Sequence, residues 1–354
     1  MNALRWRQLW AVFRLEIGKS LLSRRGLWIY ALALLPVLLF AGHAFISQRQ
    51  QRERAEKATA GATRELLRSI HTGMPREEVL RLLPKPNRQF TFRRRGEQRE
   101  FLSYSDGTTE WNISLREGKV SAVNTRSACD LAEDTVIFAG VFQFFFLRLA
   151  IFFGCVFVFI NLFRGEILDK SLHYYFLAPV RREIVVAGKY LAGLVATTVI
   201  FVVSVALQLA FLYGHLDDAA VDAYLTNGNG WQHAAAYVGV AALACVGYGS
   251  VFLAAGVLVR NPLIPAALIL LWESINGVLP AVLRKFSVIY YLKSLCPVEV
   301  PIGRDVPPPL ALLALNVDPA PAWVAIPGLC AVTVILVWIA ARRARRMEIS
   351  YAAD

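Results

Sequence analysis

Residues 163–194 form a charged interval between two long apolar runs and read FRGEILDKSLHYYFLAPVRREIVVAGKYLAGL. At 3.6 residues per turn, Glu166, Asp169, Lys170 and His173 fall at i, i+3, i+4 and i+7 and share one polar helical face. Leu168, Leu172, Tyr175 and Phe176 take the opposite side. Pro179 ends that helix, because its ring and missing N–H cannot continue the hydrogen-bond ladder. Arg181, Arg182 and Glu183 open a second helix that runs through Gly188 and Lys189 into the next apolar run. The pattern predicts an amphipathic helix on a membrane surface whose polar face is offered to a partner. A charged surface loop is the plainer alternative.

Polar residues inside apolar runs are the other candidates. Arg148 interrupts the second run, and a cation at membrane depth faces a cavity or a partner, or else snorkels outward. Glu273 and Asn276 share one side of the fifth run, continued by Gly277 and Pro280. Counted from the inner ends of their runs, Arg148 and Glu273 lie roughly 22 and 15 Å from the cytoplasmic face, a gap two long side chains bridge. This predicts a buried pair or a shared translocation path. Separate solutions, with Glu273 protonated or bonded to Asn276, remain open.

Other chemistry finds little support. His215 and His233 stand near Asp217, Asp218 and Asp222, but nothing fixes ligand geometry, so a solvated acidic loop is expected and no residue is assigned to a metal. The five cysteines, at 129, 155, 245, 296 and 330, include no CxxC pair. Cys129 and Cys296 are the two placed outside the membrane, where free thiols or a disulfide are both open. No G-x-x-x-x-G-K-[ST] phosphate loop occurs, and no H-E-x-x-H zinc motif. No catalytic residue and no cofactor is assigned.

Something must hold these residues, and composition says what. Of 354 residues, 56% are hydrophobic, and the net charge is +12. Several apolar runs reach the roughly 20 residues that cross a bilayer core, so the expected fold class is a polytopic α-helical membrane protein. The excess Lys and Arg border apolar runs, which is a topology signal and not a nucleic-acid surface.

Residues 1–26 read as a cytoplasmic interfacial helix, with Trp6, Leu9, Trp10, Phe13 and Ile17 among Arg5, Arg7, Arg14 and Lys19. Residues 27–47 form the first span, retained and not cleaved. Residues 48–134 follow as an extracytoplasmic α+β domain. In it, a helix starts at the Gly73–Val79 run and stops before Pro84 and Pro86. Four short strands then follow, separated by Gly96, Asp106-Gly107 and Glu117-Gly118. Residues 135–354 carry spans two to six, with the cytoplasmic segment 163–189 between the second and third. Ala241, Cys245 and Gly249 give the fourth span a flat packing face. Residues 284–322 form an outer segment whose Arg284, Lys285, Lys293 and Arg304 run against the positive-inside trend. Arg342, Arg343, Arg345 and Arg346 hold the far end inside, so both termini are cytoplasmic.

The interval at 163–194 resembles the coupling region of type-2 ABC exporter permeases. The matching residues are Glu166, Leu177, Pro179, Val180, Arg181 or Arg182, Lys189, Tyr190 and Leu191. The resemblance implies six spans in a bacterial inner membrane, a homo- or heterodimer of permease chains surrounded by lipid, and a separate ATP-binding cassette ATPase docked on the coupling segment. It also implies alternating access and no catalysis by this chain. The run Ile70–Pro86 is similar to the SmpA/OmlA-type lipoprotein domain, departing at Pro84, and implies a two-helix-plus-sheet fold. A mechanotransmission permease, usually with fewer spans, and a membrane sensor or scaffold acting through residues 48–134 are the alternatives.

Overall fold

The computed structural model describes residues 3–22, 27–56, 58–59, 61–94, 97–107, 109–127, 130–168, 175, 177, 179–216, 218–259, 263–300 and 319–346. Asp169, Lys170, His173, Cys129 and the Pro-rich tract fall outside these. The chain forms two compact units, one of residues 1–39, 135–210 and 222–354, the other of residues 40–134 and 211–221.

The elements run α1 (Ala3–Leu22), α2 (Leu27–Glu56), α3 (Arg64–Arg68), α4 (Arg76–Leu82), β1 (Arg88–Arg94), β2 (Glu97–Ser105), β3 (Thr109–Arg116) and β4 (Lys119–Ser127). Then come α5 (Leu131–Gly140), a π-helical stretch (Val141–Ile151), α6 (Phe152–Leu168), α7 (Arg182–Gly214), α8 (Asp218–Thr226) and α9 (Gly230–Leu258). The last are α10 (Leu263–Ser274), α11 (Ala281–Arg284), α12 (Val288–Ser294) and α13 (Ala322–Arg345). Among the described residues, five helices are long and apolar enough to cross a membrane: Leu27–Glu53, Leu131–Phe163, Arg182–Gly214, Gly230–Leu258 and Ala322–Arg345.

The fifth apolar run is not one long helix. α10 has 12 residues, about 18 Å at 1.5 Å per residue, short of a bilayer core. A single 3₁₀ turn, Asn276–Val278, follows, and Pro280 stands at the N-cap of α11. Pro280 has no N–H to continue the ladder, so the chain turns there. Arg284 reaches back with Nε donating to the carbonyl of Leu279 at 2.6 Å and Nη2 to that of Gly277 at 3.3 Å. Those bonds satisfy carbonyls that the break releases.

α6 packs between the long helices of the first unit. Phe159 is fully buried, and a Cβ built on Gly249 or Gly193 would meet its ring at 2.6 or 2.9 Å. Glycines therefore let two neighbouring helices close onto one phenylalanine. Ala241 and Cys245, which share that face of α9 with Gly249, are also fully buried. Cys155, Cys245, Cys296 and Cys330 are free thiols.

In the second unit the strands form a four-stranded antiparallel meander in the order β1-β2-β3-β4. Glu117 and Gly118 have φ of 50° and 78°, the geometry of the two-residue hairpin turn that matches strand twist. Trp111, Ile113 and Leu115 of β3 alternate inward and pack with Leu102, Tyr104, Val120, Leu67, Ile70 and Val79. One sheet face thus carries α3 and α4. Arg76, at the start of α4, forks onto Glu100 of β2, with contacts of 2.7 and 3.1 Å.

Candidate functional site

The charged interval leads to a buried cluster in the first unit. Lys189, in the second turn of α7, has no exposed side-chain surface. Its Nζ lies 2.8 Å from Glu16 Oε1 of α1 and 2.7 Å from Glu166 Oε2 of α6. Lys19, one turn along α1, sits 3.3 Å from Glu166 Oε1 and donates to the Tyr175 hydroxyl at 3.1 Å. That hydroxyl in turn donates to Glu16, and the Tyr175 ring lies under Lys189 at 4.5 Å. Two carboxylates and two ammonium groups are balanced, the condition on which buried charge is tolerated.

The two carboxylates are not equivalent. Burial alone would raise Glu16, but Lys189, with Tyr175 and Lys19, outweighs it and holds that carboxyl below its usual range. Glu166 is raised, first by burial and then by the charge of Glu16, against the pull of Lys189. Tyr175 is also raised, by burial and by the two acids around it, so it stays a donor.

α1 grips the interval a second time. Gln8 Nε2 donates to the carbonyl of Pro179 at 3.0 Å, and Gly188 lets α7 close onto Val12, where a Cβ would come within 2.7 Å. The far side is tied to α13. Arg182 Nη1 donates to the carbonyls of Ala344 and Arg345 at 3.4 and 3.2 Å, and Arg345 pairs with Glu183. Cationic groups at a helix C-terminus meet both its free carbonyls and its dipole.

Of the residues expected in the coupling segment, Glu166 and Lys189 are therefore buried and face each other. Arg182 and Glu183 are partly buried against α13. Pro179, Arg181 and Leu177 are exposed, Leu177 by 79%. Glu16 and Tyr175 complete the cluster and were not singled out from the sequence as its members. Glu16 had a signal: it is the single acid among the cations of α1.

Arg148 and Glu273 lie elsewhere in the first unit and interact electrostatically. Glu273 accepts hydrogen bonds from Ser287 Oγ at 2.9 Å and from the N–H groups of Val288 and Ile289 at 3.0 and 2.8 Å. Its carboxylate thus caps α12 across the interruption of the helix, which accounts for a buried acid in an apolar helix. Arg148 and Asn276 line one cavity of about 190 Å³ together with Gln143, Tyr290 and Lys293. His233 bonds Tyr224 at 2.7 Å.

A chain of long apolar helices with a charged interval pinned between the second and third is the framework of a multi-pass transport protein. Residues 10–272 match the family described as "ABC-2 family transporter protein", and the chain belongs to that family. It is a membrane-spanning permease subunit of an ABC transporter, and such subunits transport without being catalytic themselves. The family generally works with a separate ATP-binding subunit. No curated protein matches the chain.

Proposed function

We propose that this permease belongs to an ATP-driven exporter, works as a dimer and takes its power stroke from a separate ATPase docked on residues 163–189. The observation that carries the reading is the family match over 10–272, which takes in α1 from Trp10 on, the charged interval and four of the five long apolar helices. In this reading α10, with the turn after it and α11 and α12, makes the fifth of six crossings as a broken element. Both termini lie in the cytoplasm of a bacterial cell and residues 48–134 outside its inner membrane. The order of two short helices and four strands there supports a small interaction domain like the SmpA/OmlA type.

The mechanical logic follows from the ties just described. Exposed Leu177, Pro179 and Arg181 offer the ATPase a contact surface. Lys189, Glu16 and Glu166 make the neighbouring ends of α1, α6 and α7 one rigid block. Closure of two ATPase subunits would then move that block and rock the long helices between two packings. Five long apolar helices weigh against a mechanotransmission permease of few spans.

The test is site-directed crosslinking. Leu177→Cys or Arg181→Cys should crosslink to the partner P-loop ATPase, and ATP should change the yield. An ATPase that co-purifies without contacting either position would move the docking site elsewhere. Absence of any ATPase partner would favour a sensor or scaffold.

A further inference from the structure

Three segments far apart in sequence meet on one buried carboxylate of the second unit. Asp134, in the first turn of α5, places Oδ1 3.2 Å from His43 Nε2 and Oδ2 3.0 Å from His215 Nε2. His43 belongs to α2, and His215 directly follows α7. The two imidazoles stand edge to face, with centroids 5.3 Å apart. One ligand atom from each of the three residues fits within a span of 4.8 Å. The side chains of His215 and Asp134 are 1% and 8% exposed, whereas that of His43 is 41% exposed.

The hydrogen bonding at His215 points to a cation. Its Nδ1 lies 2.9 Å from the carbonyl oxygen of Phe211. A carbonyl only accepts, so Nδ1 carries the hydrogen, and the neutral ring then turns a bare Nε2 lone pair toward a carboxylate oxygen. Two lone pairs do not rest 3.0 Å apart in a buried place unless something positive lies between them. That positive charge is either a proton or a metal ion. A ring N–H held by a backbone carbonyl is also how proteins orient a ligating histidine and raise its basicity.

We propose that His43, Asp134 and His215 form a binding site for a divalent first-row transition metal of the zinc class. Two imidazoles and one carboxylate suit Zn²⁺ and its neighbours, whereas Ca²⁺ and Mg²⁺ demand shells of oxygen. Three protein ligands leave further positions for water. Metal–nitrogen and metal–oxygen bonds of about 2.0–2.2 Å at tetrahedral angles set ligand atoms about 3.3 Å apart. The observed 3.0 and 3.2 Å run to different oxygens of Asp134, so binding an ion would turn side chains whose ligand atoms already lie within 4.8 Å of one another. The exposed side of His43 gives the ion a way in. Once bound, it would join residues 43, 134 and 215 into one crosslink of the second unit, with Gln51 Nε2 already holding the His215 carbonyl at 3.2 Å.

The experiment uses the full chain in nanodiscs, stripped with chelator and titrated with Co²⁺ and then Zn²⁺. One equivalent of Co²⁺ should bind with visible d–d absorption, and Zn²⁺ should displace it. His43→Ala, chosen because that side chain is partly exposed, should weaken binding at least about 100-fold. Asp134→Asn, which keeps the shape and one acceptor, should do likewise. A further readout needs no variant: Zn²⁺ should protect His43, but not exposed His71, from diethylpyrocarbonate, followed by mass spectrometry. The proposal is overturned if His43 gains no protection, or if folded His43→Ala and Asp134→Asn bind Co²⁺ as tightly as the parent. Saturation without a one-equivalent site also overturns it, and the triad is then bridged by protons alone.

Discussion

Lys189 and Glu166 face each other at 2.7 Å, and the ammonium group is closed off from solvent. They stand on the two helices that border the charged interval, so their contact closes that interval into a loop. Glu16 joins them from 173 residues before Lys189. Removing the lysine would leave two buried carboxylates with only the half-exposed Lys19 between them, a loss of about 3–5 kcal/mol in comparable buried pairs. Lys189→Met is expected to melt well below the parent in detergent. Restoring neutrality with Glu166→Gln, which leaves Glu16 to Lys19, should recover part of the loss. An unchanged melting temperature for Lys189→Met would mean that the cluster contributes nothing to the fold.

The glycine socket around Phe159 supplies a second prediction. A Cβ on Gly249 would sit 2.6 Å from Phe159 Cζ, and the ring is fully buried with little room to retreat. Gly249→Val should cost about 1–3 kcal/mol through overpacking. Combined with Phe159→Leu, it should cost less than the two single losses added, because the smaller residue makes the space that valine needs. Strictly additive losses in a thermal-shift series would show that the two helices accommodate valine by moving apart.

What the sequence made legible, and what it hid, divides along physical lines. Apolar runs announced the long helices, and Asp106-Gly107 and Glu117-Gly118 announced two hairpin turns, because those signals are local. The π-helical stretch Val141–Ile151 left no trace, since a run apolar on every side has no period to distort. Gly277 and Pro280 were visible, yet the apolar run continues through Leu283, and hydropathy does not register a break. Charge spacing placed Glu166 on a polar face but could not say whether water or protein fills the space beyond it. That depended on Glu16, which only tertiary packing brings near. His215 was noticed beside aspartates close in sequence, while the carboxylate it meets is Asp134, 81 residues away.

A third prediction concerns acid. The Arg76 fork holds the Glu100 carboxyl below its ordinary value, against the opposing effect of burial. A carboxyl whose folded pKa lies below its unfolded value stabilises the fold above the unfolded pKa, about 4.3. That contribution is lost as pH falls through the lower folded value. Hydrogen exchange in β2 should therefore speed up between about pH 4 and the folded pKa, and Glu100→Gln should flatten that response. The Arg76 side chain is 39% exposed, so screening limits the neutral-pH cost of Glu100→Gln to about 1 kcal/mol. An identical acid profile in the variant would assign the sensitivity to another carboxylate.

The last prediction separates a capping role for Glu273 from a simple ion pair with Arg148. If the two mattered only as opposite charges, exchanging them would restore the interaction, and Arg148→Glu with Glu273→Arg would recover what each loses alone. The geometry argues otherwise. Glu273 accepts from Ser287 Oγ and from the N–H groups of Val288 and Ile289, and an arginine offers only donors. Three donors would then face a fourth, each unsatisfied buried group costing about 1–3 kcal/mol. The charge-swapped double variant is expected to be no better folded than Glu273→Arg alone. Glu273→Gln keeps one acceptor oxygen and should retain more folded protein than Glu273→Ala. The readout is the monodisperse fraction after detergent extraction, with proteolysis around residues 284–294 reporting on α12 directly. Recovery of the swapped pair to near parental yield would establish the ion pair as the dominant interaction and demote the cap.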